Sequence, residues 1–585
     1  MSDSYYGVAR GYGGNVSAEI TTDGEKLTSV RLTGAYETAD IGGRILPLLE
    51  QRFLEAGSYE VDAISGATLT WSGARYALRD AMQQAGLLRQ ESRNAREEYT
   101  TELLVIGCGP SGISAAMSAG DLGTEVLMVD ATETFGGNGL WAQGGYFVET
   151  EEQKAAGVNF TVKEAYEAGL YWANYLNDPL IMRKWLGECG ETFRWANEHG
   201  AGLHLLPYQK MIAHEGKPLC FHSWNGNDPI GHFRSYIDNM DNVTVMLGTK
   251  CTSLLQKEDG TVIGAKARKL DGTDVTIHAK AVVIGCGGYI GNEEMVREAV
   301  GEDLYRYLIT DTTIYNDGSG LQMAWAAGGG KRGTHLLETH GGRTGLGKGM
   351  DGLPGCDLLM NLPILWVNKN GRRFMNEETI YESLFYSNIL QSQGGRAFIV
   401  FDRASVEQWM SDTIPMRMHF WDRFGKDGGY YCPAVPGFDE DFAVAQAGGM
   451  GFTGNTIEEL AQAMGAAPAV LCATVERYND AVRSGNDPEF FKTAENLKYT
   501  VERGPFYALQ CNLQAQCTVG GIRINDEMQV VDEDDNPIPG LYAGGSDAGG
   551  LFAQSYSVLA GVCISWALTS GRLEGRNAAD YIRSL

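Results

Sequence analysis

The chain has 585 residues, enough for several domains, and a net charge of −27. This charge argues against binding to nucleic acid or to an anionic membrane surface and indicates an acidic, solvated surface. The 11 cysteines are scattered, without C-x-x-C or ferredoxin-like spacing, which argues against haem c and iron–sulfur clusters and suits a reducing compartment. No apolar run predicts a membrane span or a signal peptide, so we expect a cytoplasmic protein; an exported mature chain is the alternative.

Residues 1–95 are predicted to form one small α+β domain. Residues 15–36 alternate apolar and polar side chains around Asp23-Gly24, as a β-hairpin does. The segment 39–57 has helical spacing, the loop DAISGATLT follows at 62–70, and a second helix is expected to end near Leu87. The charged stretch 87–99 is predicted to be a linker.

A dinucleotide-binding turn is predicted directly after this linker. Gly107, Gly109 and Gly112 form G-x-G-x-x-G after the apolar run LLVI, and Asp130 ends the next predicted strand. This spacing allows a tight turn, close approach of a pyrophosphate to the backbone, and an acidic partner for the ribose. The fingerprint alone does not decide between FAD and NAD.

Further glycine clusters follow at GGNG (136–139), AVVIGCGGYIGN (281–292), DGSGLQMA (317–324) and GLYAGGSDAGG (540–550). With the fingerprint, they resemble the FAD-binding family of fumarate reductase flavoproteins, urocanate reductase and 3-ketosteroid dehydrogenases. The resemblance covers nearly all of residues 100–585 and implies FAD, with NAD as the alternative. The further cofactor-binding residues that it implies are Gly136, Gly137, Asn138, Gly139, Gly287, Gly288, Asp317, Gly545 and Asp547.

The resemblance also implies the fold. It predicts an α/β chain with a Rossmann-like FAD-binding domain formed by residues 96–325 and 505–585. An inserted α+β capping domain is expected over residues 326–504 and includes LPILWVNKNGRRFMNEE (362–378), which is similar to the G-x-R-F-x-N-E segment of the family. The alternation of strand and helix patterns supports a doubly wound sheet with a lid.

The loop DAISGATLT resembles the flavinylation motif of FMN-binding domains in sodium-pumping and Rnf-type electron-transport complexes. In that family a flavin transferase esterifies FMN onto the last Thr of S-G-A-T, which is Thr68 here. Asp62 and Ser65 occupy the matching acidic and serine positions. Small residues before Thr68 leave its hydroxyl uncrowded, and the start of the following helix favours a phosphate. The resemblance therefore implies covalent FMN on Thr68.

The residue that stands at the position of the family's proton-donating arginine argues against fumarate as the substrate. Fumarate reductases bind a dicarboxylate with arginines and histidines, but NEETIYES places Tyr381 where that arginine is expected. LFAQSYSVLAG lacks the later arginine, and AQCTVGG lacks the histidine of the family. Two carboxylates would enter such a pocket with poor compensation of their charge.

Two tyrosines match the 3-ketosteroid dehydrogenases instead. Tyr381, in N-E-x-x-x-Y, is implied to transfer the proton α to a ketone, and Tyr556 to polarise the carbonyl. The backbone N–H of Ala560 or Gly561 would complete an oxyanion hole, although SYSVLAG departs from the Y-P-G-G-G sequence of those enzymes. A neutral phenol can donate to an oxyanion and can also deliver a proton. Tyr208 is a further candidate, and the nine histidines show no metal-ligand spacing, so no metal is assigned.

Fusion to an FMN-binding domain favours reduction, because a tethered flavin can pass electrons from a donor protein to FAD. The sequence therefore predicts a two-flavin ene-reductase that acts on the C=C bond of a steroid-like or aromatic α,β-unsaturated carbonyl compound. Two alternatives remain open. One is oxidation of a ketone by an enzyme similar to 3-ketosteroid dehydrogenase, and the other is an electron-transfer module without a small substrate.

Overall fold

A computed structural model describes residues 4–11, 15–34, 37, 41–62, 64, 67–88, 95–206, 220–224, 226–310, 316–343, 356, 359–360, 362–381, 386–417, 431–432, 434–553, 556 and 559–585. Two predicted site residues, Ser65 and Tyr208, lie outside this part of the chain. Within it the protein is a mixed α/β structure.

The strands are β1 Ser4–Arg10, β2 Asn15–Thr22, β3 Leu27–Thr33, β4 Arg96–Thr100, β5 Leu103–Ile106, β6 Val126–Val129, β7 Gly144–Tyr146, β8 His204–Leu205, β9 Phe221–Ser223, β10 Val243–Met246, β11 Thr249–Gln256, β12 Val262–Lys269, β13 Asp274–His278, β14 Ala281–Ile284, β15 Ile309–Thr310, β16 Lys331–Arg332, β17 Leu337–Arg343, β18 Trp366–Val367, β19 Arg396–Asp402, β20 Ile414–Arg417, β21 Tyr431–Cys432, β22 Gly451–Gly454, β23 Phe506–Thr518, β24 Gly521–Arg523, β25 Gln529–Val531, β26 Pro537–Ala543 and β27 Ala548–Gly549.

The α-helices are α1 Gly42–Ala56, α2 Thr68–Gln84, α3 Pro110–Asp121, α4 Glu151–Ala155, α5 Val162–Trp172, α6 Pro179–Glu198, α7 Pro229–Asp238, α8 Glu293–Val300, α9 Glu302–Tyr305, α10 Ser319–Ala326, α11 Tyr386–Ser392, α12 Arg403–Ser411, α13 Phe438–Ala447, α14 Ile457–Met464, α15 Pro468–Ser484 and α16 Val562–Ser584. Short 3-10 helices cover Gly137–Leu140, Glu377–Tyr381, Ala494–Asn496 and Gly545–Asp547. In the described part of the chain, none of the helices is both long and apolar enough to cross a bilayer.

The N-terminal region forms an antiparallel sheet of order β1-β2-β3 that packs against α1 and α2 around its own apolar core. The predicted hairpin is confirmed: β2 and β3 pair antiparallel, and the Asp23 carboxylate accepts hydrogen bonds from the N–H groups of Glu25 and Lys26 at 2.9 and 2.8 Å. The linker prediction, made for residues 87–99, is wrong over residues 96–99. These residues belong to β4, because their backbone pairs in parallel with β13 at the edge of a sheet of order β11-β12-β13-β4.

The largest apolar core surrounds a six-stranded sheet of order β10-β6-β5-β14-β26-β25. Its first five strands are parallel, and β25 joins antiparallel to β26. Strands β5, β6 and β14 are buried along their whole length, as parallel strands covered on both faces are. Helices α3 and α16 pack together, and the Ser118 hydroxyl donates to the carbonyl of Arg572 at 2.9 Å.

A second sheet has the order β15-β23-β19-β18, and β17 and β22 also pair with β23. We call it the second sheet region. The apolar faces of α14 and α15 pack here in a cluster that includes Leu365, Phe398 and Leu471. Strand β23 lies beyond residue 504, so this sheet continues past the boundary expected from the sequence. The domain boundaries themselves stay predictions.

Candidate active site

The glycine turn between β5 and α3 is fixed by close backbone packing. Gly107 has a φ of +107°, and a Cβ there would lie 2.1 Å from the carbonyl oxygen of Gly285. A Cβ on Gly112 would lie 1.9 Å from the carbonyl oxygen of Gly107. By contrast, the nearest protein atom to a Cβ on Gly109 would be 4.0 Å away. The turn is therefore closed by Gly107 and Gly112 and open at Gly109.

The open position fits a pyrophosphate. Gly109 precedes α3, and no side chain caps this helix, so backbone N–H groups of its first turn remain for an anion. Gly136 donates its N–H to the carbonyl of Cys108 at 2.9 Å, which ties the GGNG segment to the turn. A Cβ on Gly137 would lie 3.1 Å from the Cα of Gly109. The structure thus brings together the fingerprint and Gly136–Gly139, and their arrangement fits FAD.

Asp130 binds the backbone of this turn. Its Oδ2 accepts from the N–H of Cys108 at 2.7 Å, and its Oδ1 accepts from the N–H and the hydroxyl of Thr132 at 2.8 and 2.7 Å. Burial raises the pKa of Asp130 above its ordinary value, against these hydrogen bonds. A carboxylate has about four acceptor positions. Asp130 can therefore organise the turn and still accept a hydrogen bond from a ribose hydroxyl.

Asp547 has a similar arrangement at the C-terminal glycines. It follows Gly545 in a 3-10 helix, is fully buried, and accepts from the N–H groups of Gly287 and Gly288, both at 2.9 Å. Burial raises the pKa of Asp547 to about 6 despite these hydrogen bonds. Asp317 accepts from the N–H of Ser319 at 3.0 Å and forms an ion pair with a lysine. These predicted cofactor ligands therefore hold the loops around the turn.

The flavinylation segment precedes α2. Asp62 is exposed, and Thr68 is the first residue of the helix; for Thr68 the structure describes only the backbone. None of the described side chains caps the N-terminus of α2, so its N–H groups suit a phosphate. The Thr70 hydroxyl donates to Glu37 Oε2 at 2.5 Å, and both residues are buried. The start of α2 fits an FMN phosphate and is anchored by Thr70.

The N-E segment is held by a buried ion cluster. The Arg373 guanidinium contacts Glu377 at 2.7 Å and Asp487 at 2.8 Å, and Lys492 lies 3.4 Å from Glu377. All four side chains are buried, so each charge depends on the others for compensation. Arg373 and Glu377 of the G-x-R-F-x-N-E segment therefore have a structural role here, and they place Tyr381 at the end of the same 3-10 helix.

Tyr381 is buried, and its hydroxyl donates to Asn496 Oδ1 at 3.2 Å. Asn496 in turn donates from Nδ2 to Glu378 at 2.6 Å. Burial raises the pKa of Glu378, but hydrogen bonds from Thr493 and Asn496 outweigh it and leave that pKa below its ordinary value. An ionised Glu378 only accepts, which fixes the amide so that its oxygen faces Tyr381. Sequence reasoning missed Asn496, which lies 115 residues from Tyr381.

Tyr556 is buried, and its hydroxyl oxygen accepts the N–H of Gly561 at 3.0 Å. The structure therefore brings these two predicted residues together. The N–H of Gly561 donates to the Tyr556 oxygen, whereas the sequence predicted two separate donors to one substrate oxygen. Burial raises the pKa of the Tyr556 hydroxyl well above its ordinary value, so the phenol stays neutral at neutral pH. Both Tyr381 and Tyr556 belong to the largest apolar core.

Among the described residues, Cys563, Glu338 and Cys517 also raise the pKa of Tyr556. Glu338 is buried on β17 and pairs in register with Cys517 on β23. Cys517 belongs to AQCTVGG, where the resemblance leads one to expect a histidine. That departure was the available signal for Cys517. No local pattern marked Glu338, which reaches the site through strand pairing.

Fold and site together define a flavoprotein with two nucleotide-binding regions. The family model described as FAD binding domain matches residues 102–562, and the one described as FMN-binding domain matches residues 11–83. The chain therefore belongs to the FAD-binding domain family and also carries an FMN-binding domain. It is a flavin-dependent oxidoreductase.

Relatives and solved structures agree with this assignment. The chain is 28% identical over 493 residues to vinyl phenol reductase of Lactiplantibacillus plantarum, covering 82% of this chain and 96% of that protein. It is 24% identical over 604 residues to urocanate reductase of Eggerthella lenta, covering 99% and 92%. A 3-ketosteroid-delta4-(5alpha)-dehydrogenase from Rhodococcus jostii RHA1 shares the fold, with a TM-score of 0.61 and 21% identity over 82% of this chain and 97% of that chain. Fumarate reductases are among the matched relatives. The resemblance found in the sequence is confirmed.

Proposed function

We propose that the chain is a two-flavin ene-reductase that reduces the C=C bond of a steroid-like or aromatic α,β-unsaturated carbonyl compound. The observation that carries this proposal is a buried, neutral Tyr556 whose oxygen accepts the N–H of Gly561. The matched relatives named for vinyl phenol and urocanate reduction support reduction over oxidation. We place the enzyme in the cytoplasm, with a separate protein or reductase as its electron donor.

We assign residues 96–325 and 505–585 to a Rossmann-like FAD-binding domain and residues 326–504 to a cap over the substrate. The parallel sheet around β5, β6 and β14 supports the first assignment. The second sheet region, with its separate apolar cluster, supports the second. The N-terminal domain is proposed to hold FMN on Thr68, attached by a flavin transferase.

FAD held at the glycine turn would, once reduced, supply the hydride for the β-carbon of the alkene. Negative charge then develops on the carbonyl oxygen, and Tyr556 is assigned to donate a hydrogen bond to it. Because the N–H of Gly561 donates to the phenol oxygen, it polarises the O–H bond and strengthens that donation. Tyr381 is assigned to deliver the proton to the α-carbon.

The described surroundings of both tyrosines argue against a dicarboxylate. Among the described side chains, Glu338 and two thiols raise the pKa of Tyr556, and Tyr381 donates to an amide oxygen. The nearby Arg373 is already paired with Glu377 and Asp487. Since these groups offer an incoming carboxylate no compensating charge, fumarate is a poor substrate in this proposal.

Tyr381→Phe tests the assignment. Enzyme reduced anaerobically with a dye is mixed with a steroid enone, an aromatic enone or fumarate, and reoxidation of the flavin is followed by absorbance. We expect Tyr381→Phe to slow reoxidation by the preferred enone by about 10²–10⁴-fold, because the proton donor is removed. Reduction of FAD by the dye should not change.

Tyr542→Phe is the matched control, because it removes the hydroxyl of a buried tyrosine on β26 that donates to the carbonyl of Asn577 on α16. Undiminished reoxidation in Tyr381→Phe would contradict the role of Tyr381. Reduced flavins that no enone reoxidises would instead favour an electron-transfer module.

A further inference from the structure

The FMN-binding domain contacts the FAD-binding region through one face of α2. The Arg75 guanidinium makes a two-point contact with the Glu133 carboxylate, at 2.7 and 3.0 Å. The Ser72 hydroxyl lies 2.9 Å from that of Thr134, and the Tyr76 hydroxyl accepts the N–H of Glu133 at 2.6 Å. We call Ser72, Arg75 and Tyr76 the docking face.

Aromatic rings hold the arginine in place. The Arg75 guanidinium lies 5.3 Å from the centre of the Trp71 ring and 5.4 Å from that of Tyr59. The Arg75 and Glu133 side chains are 10% and 31% exposed, so the pair is screened less than a surface ion pair. The guanidinium contacts both carboxylate oxygens, one through a hydrogen bond at 3.0 Å and one at an ion-pair distance of 2.7 Å, which favours one orientation of the two side chains. These contacts therefore favour a single orientation of the docking face against Glu133 and Thr134.

Position 68 is at the start of the same helix. Thr68 is the first residue of α2, four residues before Ser72 and seven before Arg75. Helical positions four apart are on one face, about 6 Å apart along the axis. The docking face therefore continues to the position where FMN attachment is proposed.

On the other side of the contact, Glu133 and Thr134 lead directly into the GGNG segment. Neighbouring Cα atoms are about 3.8 Å apart, so those of Thr134 and Gly136 are at most about 8 Å apart. Gly136 is bonded through its N–H to Cys108 in the FAD turn. The docking face thus joins position 68 to the loop that the FAD family model covers.

We propose that Ser72, Arg75 and Tyr76 are positioning residues for electron transfer between the two flavins, and that Glu133 and Thr134 are their partners. This inference rests on the proposed function. For each alkene reduced, two electrons from an external donor would pass through FMN to FAD, where they combine with one proton from solvent to form the hydride that the β-carbon receives. Tyr381 gives a second proton to the α-carbon and is reprotonated from solvent. FMN and FAD each return to their starting oxidation state.

The docking face is tested in the whole chain by swapping the charges of Arg75 and Glu133. Variants Arg75→Glu and Glu133→Arg are compared with the double variant, in which the opposite charges face each other again. Asp80→Arg is the control, because it reverses a charge at an exposed position of α2. FMN on Thr68 is first verified by intact mass in every sample.

The first measurement does not need activity. Deuterium uptake is followed in peptides covering residues 68–84 and 130–136, which contain both sides of the contact. We expect uptake to rise in both peptides in each single variant and to return toward wild type in the double variant. Unchanged uptake in both single variants would overturn the docking contact.

The second measurement is the rate at which electrons added rapidly to the FMN reach FAD, followed by stopped-flow absorbance. We expect each single variant to slow this phase roughly tenfold, a typical size for loss of a close charge pair, and the double variant to restore it. Enone reduction driven by a small dye that reduces FAD directly should stay at the wild-type rate in Arg75→Glu. An unchanged transfer rate despite increased deuterium uptake would overturn the positioning role.

Failure of the underlying proposal gives a different result. Absence of FMN on Thr68, in a host that contains the transferase, would overturn the electron path while the exchange data still report the contact. Normal transfer between flavins with no enone reoxidising FAD would overturn the substrate assignment and leave the docking face supported.

Discussion

The two nucleotide-binding regions of this chain are organised in opposite ways. In the FAD-binding region, the turn at Gly107–Gly112 is closed by backbone atoms in van der Waals contact, and Asp547 bonds to neighbouring glycines from a fully buried position. In the N-terminal domain, Asp62 is exposed, and the anchor near Thr68 is the side-chain bond from Thr70 to Glu37.

This difference determines whether a substitution that weakens cofactor binding also destabilises the fold. Where a cofactor loop is also part of the packed core, a substitution affects the fold and the cofactor together. Where the proposed attachment residue begins a helix that is anchored by a neighbour, loss of the cofactor is expected to leave the fold intact. The comparison therefore predicts which substitutions reduce stability and which reduce only flavin content.

The largest effect is expected for Gly112→Ala. A Cβ there would lie 1.9 Å from a backbone oxygen, which cannot move without opening the turn, so we expect a destabilisation of about 3 kcal/mol and loss of FAD. Gly109→Ala is the matched variant, because the nearest atom to its Cβ, apart from its chain neighbours, would be the carbonyl oxygen of Gly285 at 4.0 Å, an ordinary van der Waals distance. We expect the FAD-free form of Gly109→Ala to melt near the wild-type temperature and its FAD affinity to fall at least about tenfold. Thermal melting without FAD measures the stability of each variant, and titration with FAD measures the affinity. A Gly112→Ala variant as stable as wild type would refute the packing argument.

Lowering the pH should reduce the folding stability of the FAD-binding region because His222 is buried in its neutral form. This histidine is buried, with Nδ1 3.1 Å from the carbonyl of Cys220 and Nε2 3.0 Å from the Thr150 hydroxyl, and burial lowers its pKa to about 3. The folded ring is neutral, whereas the unfolded ring binds a proton below its ordinary pKa of about 6.5. Stability is therefore lost as the pH falls from about 6.5 toward 3, by about 2 kcal/mol at pH 5.

His222→Gln should flatten this acid limb, because an amide can donate and accept without titrating. Denaturant unfolding between pH 7 and pH 5 measures the slope, and His278→Gln changes a more exposed histidine as the control. An equally steep acid limb in His222→Gln would show that other groups cause it.

Much of the fold followed from local patterns in the sequence. The hairpin at Asp23, the helices α1 and α2 and the strand–turn–helix at Gly107 depend on residues close in sequence, so periodicity and glycine spacing predicted them. Strand β4 was missed because it begins with three charged residues and none of its residues is buried, and its strand character comes from pairing with β13, about 180 residues away. Single-strand patterns do not contain such pairing.

The site was predictable in the same uneven way. Tyr381 and Tyr556 were predicted from motif positions and stay predictions, whereas the bond from Tyr381 to Asn496 joins residues distant in sequence. The expectation that Gly561 completes an oxyanion hole beside Tyr556 stays a prediction, with its N–H bonded to the tyrosine oxygen. The contact between Arg75 and Glu133 depends on how two domains pack, which no local motif specifies.

The smallest effect on stability, and the sharpest test of the comparison, is expected from Thr68→Val set against Thr70→Val. Thr70→Val removes the hydroxyl that donates to Glu37 Oε2 and leaves a buried carboxylate short of a donor, so we expect a loss of about 1–3 kcal/mol with FMN retained. Thr68→Val removes the proposed attachment hydroxyl, so the chain mass should fall by one FMN with a smaller change in stability and FAD content unchanged. Intact mass, released flavin and denaturant unfolding measure the three quantities, and Thr68→Ser keeps a hydroxyl as the control. Retention of FMN in Thr68→Val would show that FMN is attached elsewhere. Loss of FMN in a folded Thr70→Val variant would show that flavin attachment and folding are coupled in this domain as well.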